Sequence, residues 1–529
     1  MEQNSFDVIV IGCGTAGLRA GIAAAKEGSE VCVLSKASQG LGTCTVMSRG
    51  HFAGAREGWT QDEHREATLR AGKDLNQPDL VDALVEDAPE RLSELIRWGL
   101  HGVVEKGQLY AQGPPPVWGK EIIRCLFAKA LRSGVRFRSG IMVTSIRVEE
   151  GAAGVLSYET ASNSWLGLSS RAVILATGGA GGLYLRHDNP RRMMGEGYAL
   201  ALRAGAILQD MEFFQFLPLA TAERGRAQFP IPSTIAKRGR LINGRGEEIL
   251  DKYGIKERPA DVLARDRLSQ ALMYETRAGE PVFLDLSGVS EREWMEDALG
   301  SAKILGDRFQ ARMKPVRVAP TAHFSQGGVR IDPQGRSGVS GLYAAGEVTG
   351  GLHGANRMAG NALTEALVFG ARAGRAAALG AGQKSPDREK EILGEMIASI
   401  SKAPEKQAPG DPAKLKKDLQ TILWEEGGIL RNKQGLLKAV QDVEKIMDEA
   451  GSLPLNAPPP KVQETLELQL GSVSALLILQ AALRREESRG AHFREDFPGE
   501  NGRIWLGHLE VSLTEGKPKW SFKPRQNSH

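Results

Sequence analysis

The start of the chain shows an apolar run, a glycine-rich turn, a helix pattern and a second apolar run. The β-branched run from Asp7 to Ile11 precedes a turn that contains Gly12, Gly14 and Gly17. The segment LRAGIAAAKEGSEVCVLSK then places small residues at helical spacing before the next apolar run. Short apolar runs predict buried strands, and small residues let a helix pack closely on a sheet. The pattern therefore predicts a strand–helix–strand unit.

Further patterns divide the rest of the chain. The segment from Arg171 to Tyr184 predicts a strand that ends in glycines, and Asn189 to Pro218 predicts an amphipathic helix and a short aromatic strand. Residues 219–319 are richer in charges and short turns, which suggests an inserted domain. From Pro320 to Gly374, a strand ending in AAGE leads into a glycine-rich turn, HGANR and an alanine-rich helix. We expect this stretch to return the chain to its first domain.

The last part of the chain predicts a linker and a helical domain. Residues 401–417 are polar and contain prolines, which is typical of a linker. Residues 418–529 alternate apolar and charged positions at helical spacing. The predicted first domain has two segments, residues 1–218 and 320–400, and the inserted domain lies between them at residues 219–319. A linker at residues 401–417 then leads to a helical domain at residues 418–529.

Two glycine-rich turns carry a signal for a dinucleotide. Gly12, Gly14 and Gly17 form GxGxxG between a predicted strand and a predicted helix. Free backbone N–H groups and the positive end of a helix dipole favour a pyrophosphate or an electron-rich ring edge, and the alanine-rich helix offers the same property. At the end of the second strand, where an acidic residue usually binds the ribose of the dinucleotide, this chain has Ser35 and Lys36. A hydroxyl and a cation would therefore hold the ribose. A turn without a ligand is the alternative for either signal alone.

Composition excludes several classes of function. The 529 residues include 68 Lys and Arg against 64 Asp and Glu, without a dense basic tract that would bind nucleic acid. We find no run of 18 apolar residues and no signal peptide, so we expect a cytoplasmic protein without direct membrane insertion. The four cysteines have no CxxC spacing, which disfavours a metal site or an iron–sulfur cluster held by this chain.

An ordered set of segments carries a family resemblance. The set comprises GCGTAG, LSK, CTVMSRG, LATGGAGGLY, MEFFQF, ARDRLSQAL, PTAHFSQGG, AAGEVTGGLHGANRMAGNALTEALVFG and ESRGAHFRED. The chain resembles the flavoproteins of fumarate reductase, succinate dehydrogenase and L-aspartate oxidase over nearly its whole length. The resemblance implies an α/β fold, in which a Rossmann-like FAD-binding domain in two segments receives an inserted α+β capping domain and is followed by a C-terminal helical domain.

The resemblance also implies which residues approach FAD. They are Gly12, Gly14, Ala16, Gly17, Ser35, Lys36, Thr43, Cys44, Thr45, Gly50, Ala176, Thr177, Gly178, Glu347, Arg357, Asn361, Ala362 and Leu363. The family's covalent flavin link uses a histidine where this chain has Cys44. We therefore predict non-covalent FAD, with a thioether through Cys44 as the alternative.

The resemblance implies a substrate site that is only partly retained. His323 and Arg357 would bind one carboxylate, and Arg265 would move a proton. A surface ion pair of Arg265 with Asp266 and a core position for His323 are the alternatives. Leu217 replaces the histidine that binds the second carboxylate in the family, and Ile235 replaces a proton-relaying glutamate.

Thr234 and Arg238 survive beside these two replacements and are further predicted substrate contacts. Because Leu217 and Ile235 remove polar contacts, we expect the second arm of the substrate to be apolar or uncharged.

The predicted function is hydride transfer between flavin N5 and a small carboxylate substrate, by C=C reduction or CH–CH oxidation. We expect a mono-carboxylate with an aryl or alkyl arm rather than fumarate or succinate. Electrons would be exchanged with a partner, which in the family is commonly an iron–sulfur subunit; oxygen or a soluble carrier is the alternative. Membrane association would occur only through such a partner. The alternatives are an electron-relay subunit with a decayed substrate site and an L-aspartate oxidase-like enzyme.

Overall fold

The computed structural model describes residues 4–38, 40–54, 58–113, 118–149, 151–223, 228–296, 301–380, 385–400 and 409–525. The strands there are β1 (Val8–Ile11), β2 (Val31–Ser35), β3 (His51–Ala53), β4 (Gly102–Glu105), β5 (Gln108–Ala111), β6 (Arg136–Ser139), β7 (Ile141–Glu149), β8 (Ala152–Glu159), β9 (Ser164–Ser170), β10 (Ala172–Leu175), β11 (Leu208–Gln209), β12 (Phe214–Thr221), β13 (Arg240–Asn243), β14 (Val282–Asp285), β15 (Val316–Ser325), β16 (Gly328–Arg330), β17 (Leu342–Ala344), β18 (Thr349–Gly350), β19 (Gly507–Thr514) and β20 (Lys517–Pro524).

The α-helices are α1 (Thr15–Lys26), α2 (Cys44–Met47), α3 (Gln61–Ala71), α4 (Pro78–Arg97), α5 (Gly119–Arg132), α6 (Glu196–Arg203), α7 (Ser233–Ala236), α8 (Ile249–Lys252), α9 (Ala260–Leu263), α10 (Arg265–Arg277), α11 (Glu291–Met295), α12 (Ser301–Phe309), α13 (Asn361–Gly380), α14 (Pro386–Ile400), α15 (Pro412–Glu425), α16 (Lys433–Gly451), α17 (Pro459–Arg484) and α18 (Gly502–Trp505). A short 3₁₀ helix covers Gly181–Leu183.

A parallel sheet forms the centre of the predicted FAD-binding domain. Its strand order is β17-β10-β1-β2-β6, and each neighbouring pair is parallel. Every residue of β1, β2 and β10 is buried, as expected for strands covered on both faces. The turn after β1 needs glycine, because a Cβ at Gly12 would lie 2.1 Å from the Ala176 carbonyl oxygen. The predicted Rossmann-like sheet is confirmed.

The two segments of the domain meet where α1 packs against α13. A Cβ at Gly370 would lie 2.6 Å from the Ala16 carbonyl oxygen, and a Cβ at Gly374 would lie 2.2 Å from that of Ala20. The two backbones therefore approach through glycine on one helix and alanine on the other. This contact joins the start of the chain to the helix that follows HGANR.

The inserted domain is built on an antiparallel sheet of order β12-β15-β14-β13 with short helices, α7 to α12, around it. It has a separate hydrophobic core that includes Ile235, Leu268 and Leu284. The predicted boundaries at residues 219 and 319 fall inside β12 and β15, the long strands that lead into and out of this domain. The predicted division into domains stays a prediction.

The C-terminal part is mainly helical but also contains strands. β19 and β20 form a hairpin, and β19 pairs with β11 of the FAD-binding domain. The sequence did not predict this hairpin. Helices α15, α16 and α17 pack together beside it.

The linker prediction is partly wrong. Residues 401–408 lie outside the described residues, but α15 begins at Pro412, with the Asp411 side chain accepting a hydrogen bond from the Ala413 N–H. Proline is compatible with the first helical turn, so Pro412, one of the prolines that suggested a linker, is part of a helix start.

A fully buried ionic cluster fixes the C-terminal part to the FAD-binding domain. Arg485 donates to Glu212, lies 3.2 Å from Glu487 and 3.4 Å from Asp210. These four side chains are at most 2% exposed. Because a buried charge is tolerated only when it is paired, loss of any one partner would leave an uncompensated charge in the core.

One described helix, α17, has the length and composition of a membrane span, although the sequence contains no uninterrupted apolar run of that length. Of its most apolar window, 72% is buried inside the protein. A buried core helix passes the same test of length and composition.

Because α1 and α13 are in close contact, we predict that one methyl group added to α13 destabilises the protein. Gly374→Ala would place a Cβ against the backbone of Ala20, so we expect a loss of about 3 kcal/mol in the free energy of unfolding. The matched control is Gly394→Ala on α14, where a Cβ meets nothing within 4 Å and helix propensity should stabilise the chain by up to about 1 kcal/mol. Denaturant unfolding measures both; equal effects of the two variants would contradict the proposed packing constraint.

Candidate active site

A long cavity of about 570 Å³ lies at the carboxyl edge of the parallel sheet and extends beneath the inserted domain. Most of the predicted site residues line it: Gly12, Gly14, Ala16, Ser35, Lys36, Thr43, Cys44, Thr45, Ala176, Thr177, Gly178, Leu217, Arg265, His323, Glu347, Arg357, Ala362 and Leu363. Parallel strands end at one edge of a sheet, which is why residues so far apart in sequence meet there.

Three predicted cofactor residues support the cavity without lining it. A Cβ at Gly17 would lie 1.9 Å from the Gly12 carbonyl oxygen, so only glycine at position 17 allows α1 to pack this closely against the turn. Gly50 has a φ of 66° and packs against Ala111. Asn361 donates to Thr68 Oγ1 at 2.9 Å, and its Oδ1 lies 2.7 Å from His64 Nε2. Each of these three contributes to the shape of the walls.

Two predicted substrate residues lie elsewhere, which corrects the sequence interpretation. Thr234 is exposed on α7 and does not line the cavity. Arg238 donates to the Glu293 carbonyl oxygen and, at 3.1 Å, to Glu296 Oε2. Between them, Ile235 is fully buried in the core of the inserted domain. The short helix α7 turns this segment away from the cavity.

The cofactor end of the cavity fits a dinucleotide. The N-termini of α1 and α13 both border it, and neither helix has an acidic residue in its first turn. A side chain at position 12 would collide with the backbone, so the chain presents a bare peptide group to the cavity at this position. Backbone donors at positive helix ends are the features that bind a pyrophosphate.

Lys36 forms a charged cluster at the same end. Its Nζ contacts Glu196 and lies 3.4 Å from Glu467 on α17, which also accepts a hydrogen bond from Arg192 at 2.6 Å. Sequence reasoning missed Glu196 and Glu467, because both come from parts of the chain far from the glycine turn. The acidic residue in MMGEG was the one available signal.

Glu347 lies deep in the cavity. Its Oε1 accepts a hydrogen bond from the Ser325 N–H at 3.1 Å. Burial raises the pKa of Glu347 to about 7. The carboxyl group can therefore change protonation state near neutral pH.

Cys44 has the environment of an unreactive thiol. Its Sγ donates to Asn189 Oδ1 at 3.3 Å. Burial, with the negative charges of Glu347 and Asp188 nearby, raises the pKa of Cys44 well above its ordinary value. Because the thiolate is the nucleophile in thioether formation, this thiol is poorly suited to a covalent link.

Arg357 presents a buried positive charge to the cavity. It is 8% exposed and donates to Gln215 Oε1 at 2.9 Å and to the Met358 carbonyl oxygen at 3.1 Å. Its guanidinium lies 4.7 Å from the centre of the Phe324 ring. Within the described ranges it forms no ion pair, and its Nε has no hydrogen-bond partner. Burial, and then the charge of Arg265, lowers its pKa to about 10.

His323 and Arg265 line the same part of the cavity. His323 Nδ1 lies 2.8 Å from Asp188 Oδ2. Burial lowers the pKa of His323, Asp188 opposes this shift, and Arg357 and Arg265 add to it. Arg265 Nε donates to the Asp261 carbonyl oxygen at 3.3 Å. Burial lowers the pKa of Arg265, while Asp266 and Asp261 oppose that shift.

Within the described residues, the structure shows neither a surface ion pair of Arg265 with Asp266 nor a core position for His323, the two alternatives considered from the sequence. Asp266 accepts a hydrogen bond from Asn356 at 2.9 Å and forms no ion pair with Arg265 in the described part of the chain. The His323 side chain is 29% exposed and lines the cavity instead of lying in a core. Arg265 and His323 are therefore both available to a ligand.

Sequence reasoning missed further polar residues in the cavity wall, among them Asp188, Arg49 and His51. Arg49 donates to the Pro230 carbonyl oxygen and so connects the FAD-binding domain to the inserted domain. The His51 ring stacks on Tyr110 with the ring centres 4.8 Å apart. Arg49 lies in the segment CTVMSRG, whereas no quoted segment contains Asp188 or His51.

Comparisons with known families and proteins agree with this geometry. The sequence model described as "FAD binding domain" matches residues 7–363, and that described as "Fumarate reductase flavoprotein C-term" matches residues 416–528. One of the subunits of the CoM/CoB fumarate reductase of Methanothermobacter marburgensis is 33% identical, over 94% of this chain and 95% of the relative. L-aspartate oxidase of Mesorhizobium japonicum is also 33% identical, over 95% of this chain and 94% of the relative.

Solved structures show the same arrangement. E. coli quinol fumarate reductase FrdA superposes with a TM-score of 0.89 at 26% identity, covering 99% of this chain and 97% of that one. Sdh1 of Mycobacterium smegmatis gives a TM-score of 0.87 at 28% identity, with coverage of 100% and 95%. The fold predicted from the resemblance, with its FAD-binding, capping and C-terminal helical domains, is confirmed. The chain belongs to the flavoprotein family of fumarate reductase, succinate dehydrogenase and L-aspartate oxidase, and it is an FAD-dependent oxidoreductase.

Proposed function

We propose that this oxidoreductase reduces the C=C bond of a small unsaturated carboxylate, or oxidises the corresponding CH–CH bond, and that the second arm of its substrate is uncharged. The observation that carries the proposal is the buried guanidinium of Arg357, which lines the cavity, forms no ion pair in the described residues and leaves its Nε without a hydrogen-bond partner. A buried cation whose hydrogen-bond partners are neutral is stabilised when an anion binds.

FAD, when bound, supplies two electrons and a hydrogen at N5 of its ring. The residues that hold it in this proposal are the turn at Gly12 and Gly14, the start of α13 at Ala362 and Leu363, and Glu347. The positive end of α13 stabilises the negative charge that a reduced flavin carries at its pyrimidine edge.

The substrate carboxylate binds to Arg357. Gln215 and Met358 already hold the guanidinium in place, so little side-chain entropy is lost on binding. Arg265 lines the same part of the cavity and adds a second positive charge. The prediction from the sequence that Arg265 moves the proton stays a prediction.

The second arm lies against Leu217 in this proposal. Leu217 is partly exposed to the cavity and shares its wall with Pro230 and Phe324. A carboxylate placed against this apolar wall would lose water without gaining a hydrogen bond there, which costs several kcal/mol at most sites. An aryl or alkyl arm would instead gain from burial.

Electrons are exchanged with a separate partner, in our proposal an iron–sulfur subunit. The described residues contain no group of His, Cys, Asp and Glu that could hold a metal ion. Several relatives are named as subunits, among them the fumarate reductase flavoprotein subunit of Mycobacterium tuberculosis, 32% identical over 96% of this chain. We further propose that the chain is cytoplasmic and meets a membrane only through such a partner.

The substrate proposal is tested by anaerobic reoxidation of the reduced flavin with a panel of enoates. We expect cinnamate or another mono-carboxylate to reoxidise it faster than fumarate does. Arg357→Gln should lower kcat/KM for every enoate by about 100-fold or more, because the carboxylate then lacks its charged partner. Leu217→His should shift the preference toward fumarate.

Two outcomes would contradict this proposal. Fumarate reacting faster than all mono-carboxylates would exclude the uncharged arm. Silence toward every enoate, combined with rapid electron exchange with an artificial carrier, would favour the alternative of an electron-relay subunit.

The position of Glu347 predicts a pH dependence of FAD affinity. A sugar hydroxyl of FAD that donates to this carboxylate favours its ionised form, whereas the empty site holds its pKa at about 7. FAD should therefore bind fully above pH 7, and its Kd should rise by up to about tenfold per unit as the pH falls below 7. Fluorescence titration of the apoprotein measures this; a Glu347→Gln variant with the same slope would contradict it.

From the environment of Cys44 we predict that FAD is bound non-covalently and is released when the protein is denatured. Because the raised pKa keeps its thiol protonated, acid precipitation should leave the yellow colour in the supernatant, for the wild type and for Cys44→Ala alike. Colour that stays with the precipitated wild-type protein, but not with the variant, would show a thioether link instead.

A further inference from the structure

A chain of side-chain hydrogen bonds joins Arg357 to the inserted domain. Arg357 Nη2 donates to Gln215 Oε1 at 2.9 Å, and Gln215 Nε2 donates to Asn356 Oδ1 at 2.6 Å. Asn356 Nδ2 in turn donates to Asp266 Oδ2 at 2.9 Å. Asp266 is the second residue of α10, the helix that begins at Arg265. The three side chains beyond Arg357 lie behind the cavity wall, not in it.

This chain of hydrogen bonds can run in one direction only. A guanidinium only donates, whereas a side-chain amide has one accepting end and one donating end. Gln215 therefore turns its oxygen toward Arg357 and its NH2 toward Asn356, whose own NH2 then points away from the arginine. A chain that begins at a donor needs an acceptor at its far end, and Asp266 is that acceptor.

Backbone groups fix the two amides on the side of the FAD-binding domain. The Arg357 N–H donates to Asn356 Oδ1 at 3.0 Å, and Gln215 Nε2 also donates to the Arg357 carbonyl oxygen at 3.1 Å. The Ala355 carbonyl oxygen accepts a hydrogen bond from the Ala491 N–H at 2.9 Å, which ties the same turn to the C-terminal part. The member of the chain that comes from a helix of the inserted domain is the aspartate.

We infer that Asn356 and Asp266 are positioning residues, through which helix α10 of the inserted domain orients the guanidinium of Arg357 for the substrate carboxylate. The inference rests on the proposed function, since it concerns the carboxylate site of that reaction. Neither residue touches the substrate. Because Arg265 and Asp266 are neighbours, the docking of α10 places the second cavity cation and completes the amide chain in one step.

Loss of the far acceptor would release the whole chain. Without Asp266, the amide of Asn356 is free to reverse, and its NH2 would then face the NH2 of Gln215. Two facing donors repel, so Gln215 would reverse in turn and present its NH2 to Arg357. The guanidinium would keep the Met358 carbonyl oxygen, while its Nε already lacks a partner in the described residues. Arg357 would therefore be held less firmly.

The sign of the effect on binding separates this chain from plain electrostatics. Asp266 carries a negative charge that acts on Arg265 at the carboxylate site. Removing that charge would, by Coulomb attraction alone, favour an anionic ligand. Loss of the amide chain disfavours the same ligand, because Arg357 is no longer oriented toward it. The two explanations predict opposite changes in affinity.

The test measures the Kd of 3-phenylpropanoate, a saturated mono-carboxylate, from the visible difference spectrum of the flavin in the FAD-loaded protein. Asn356→Ala and Asp266→Ala should each raise this Kd about tenfold. Asp266→Asn removes the charge but keeps an acceptor, so it should bind at least as tightly as the wild type. The two alanine variants remove opposite ends of one contact, so either variant that keeps its FAD is sufficient.

The matched control is Arg277→Ala at the other end of α10. Arg277 Nη1 lies 3.0 Å from Glu495 Oε2, and its Nη2 donates to the Leu430 carbonyl oxygen at 2.9 Å. This variant also loosens α10 from a neighbouring domain but leaves the amide chain intact. Its Kd for 3-phenylpropanoate should change by less than about twofold, in the range of additivity for distant sites.

A second arm asks whether the aspartate acts through Arg357. In an Arg357→Gln background, Asp266→Ala should raise the Kd by less than about twofold, because the group that the chain orients is gone. In enoate reduction, Asn356→Ala should raise KM about tenfold and lower kcat by less than about threefold, as expected for weaker carboxylate binding. General loosening would lower kcat and cost the same affinity in both backgrounds.

Three results would overturn the inference and leave the proposed function intact. They are unchanged or tighter binding by Asp266→Ala, an equal loss of affinity in Arg277→Ala, and a loss in Asp266→Asn that matches the loss in Asp266→Ala. A wild-type protein that neither binds 3-phenylpropanoate nor reduces any enoate would overturn both.

Discussion

The backbone contact between α1 and α13 is the constraint on which the rest of the molecule depends. Gly370 and Gly374 allow α13 to lie directly against Ala16 and Ala20 of α1. The two helices start at the same edge of the parallel sheet, so their N-termini reach one cavity from two distant parts of the sequence. Wider spacing would separate the positive helix ends and divide the binding site for FAD.

Two long strands connect this frame to the chemistry. β12 carries Gln215 and Leu217, and β15 carries His323, while both continue into the sheet of the inserted domain. The residues that face a substrate are therefore held by strands whose far ends belong to another hydrophobic core. The positions of the histidine and the leucine depend on packing in both domains.

The sequence predicted those parts of the structure that local rules determine. The turn at Gly12 follows from close backbone contact, and His323 and Arg357 follow from segments whose resemblance covers each residue. Arg238 was misplaced because the short helix α7 turns its segment away, a change that no local pattern records. Asp188 was missed because its contact with His323 on β15 joins parts of the chain that are far apart in sequence. The hairpin of β19 and β20 was missed because the outer strand is mostly exposed and lacks an apolar pattern.

The cluster around Lys36 has a consequence for how such proteins can change during evolution. Glu467 belongs to α17 in the helical domain, yet it pairs with Lys36 and Arg192 at the cofactor end of the cavity. The two domains therefore both contribute charged side chains to the cofactor end of the cavity. A helical domain without a carboxylate at this position would leave Arg192 without its buried partner and Lys36 with Glu196 alone, so changes at these positions in the two domains are coupled.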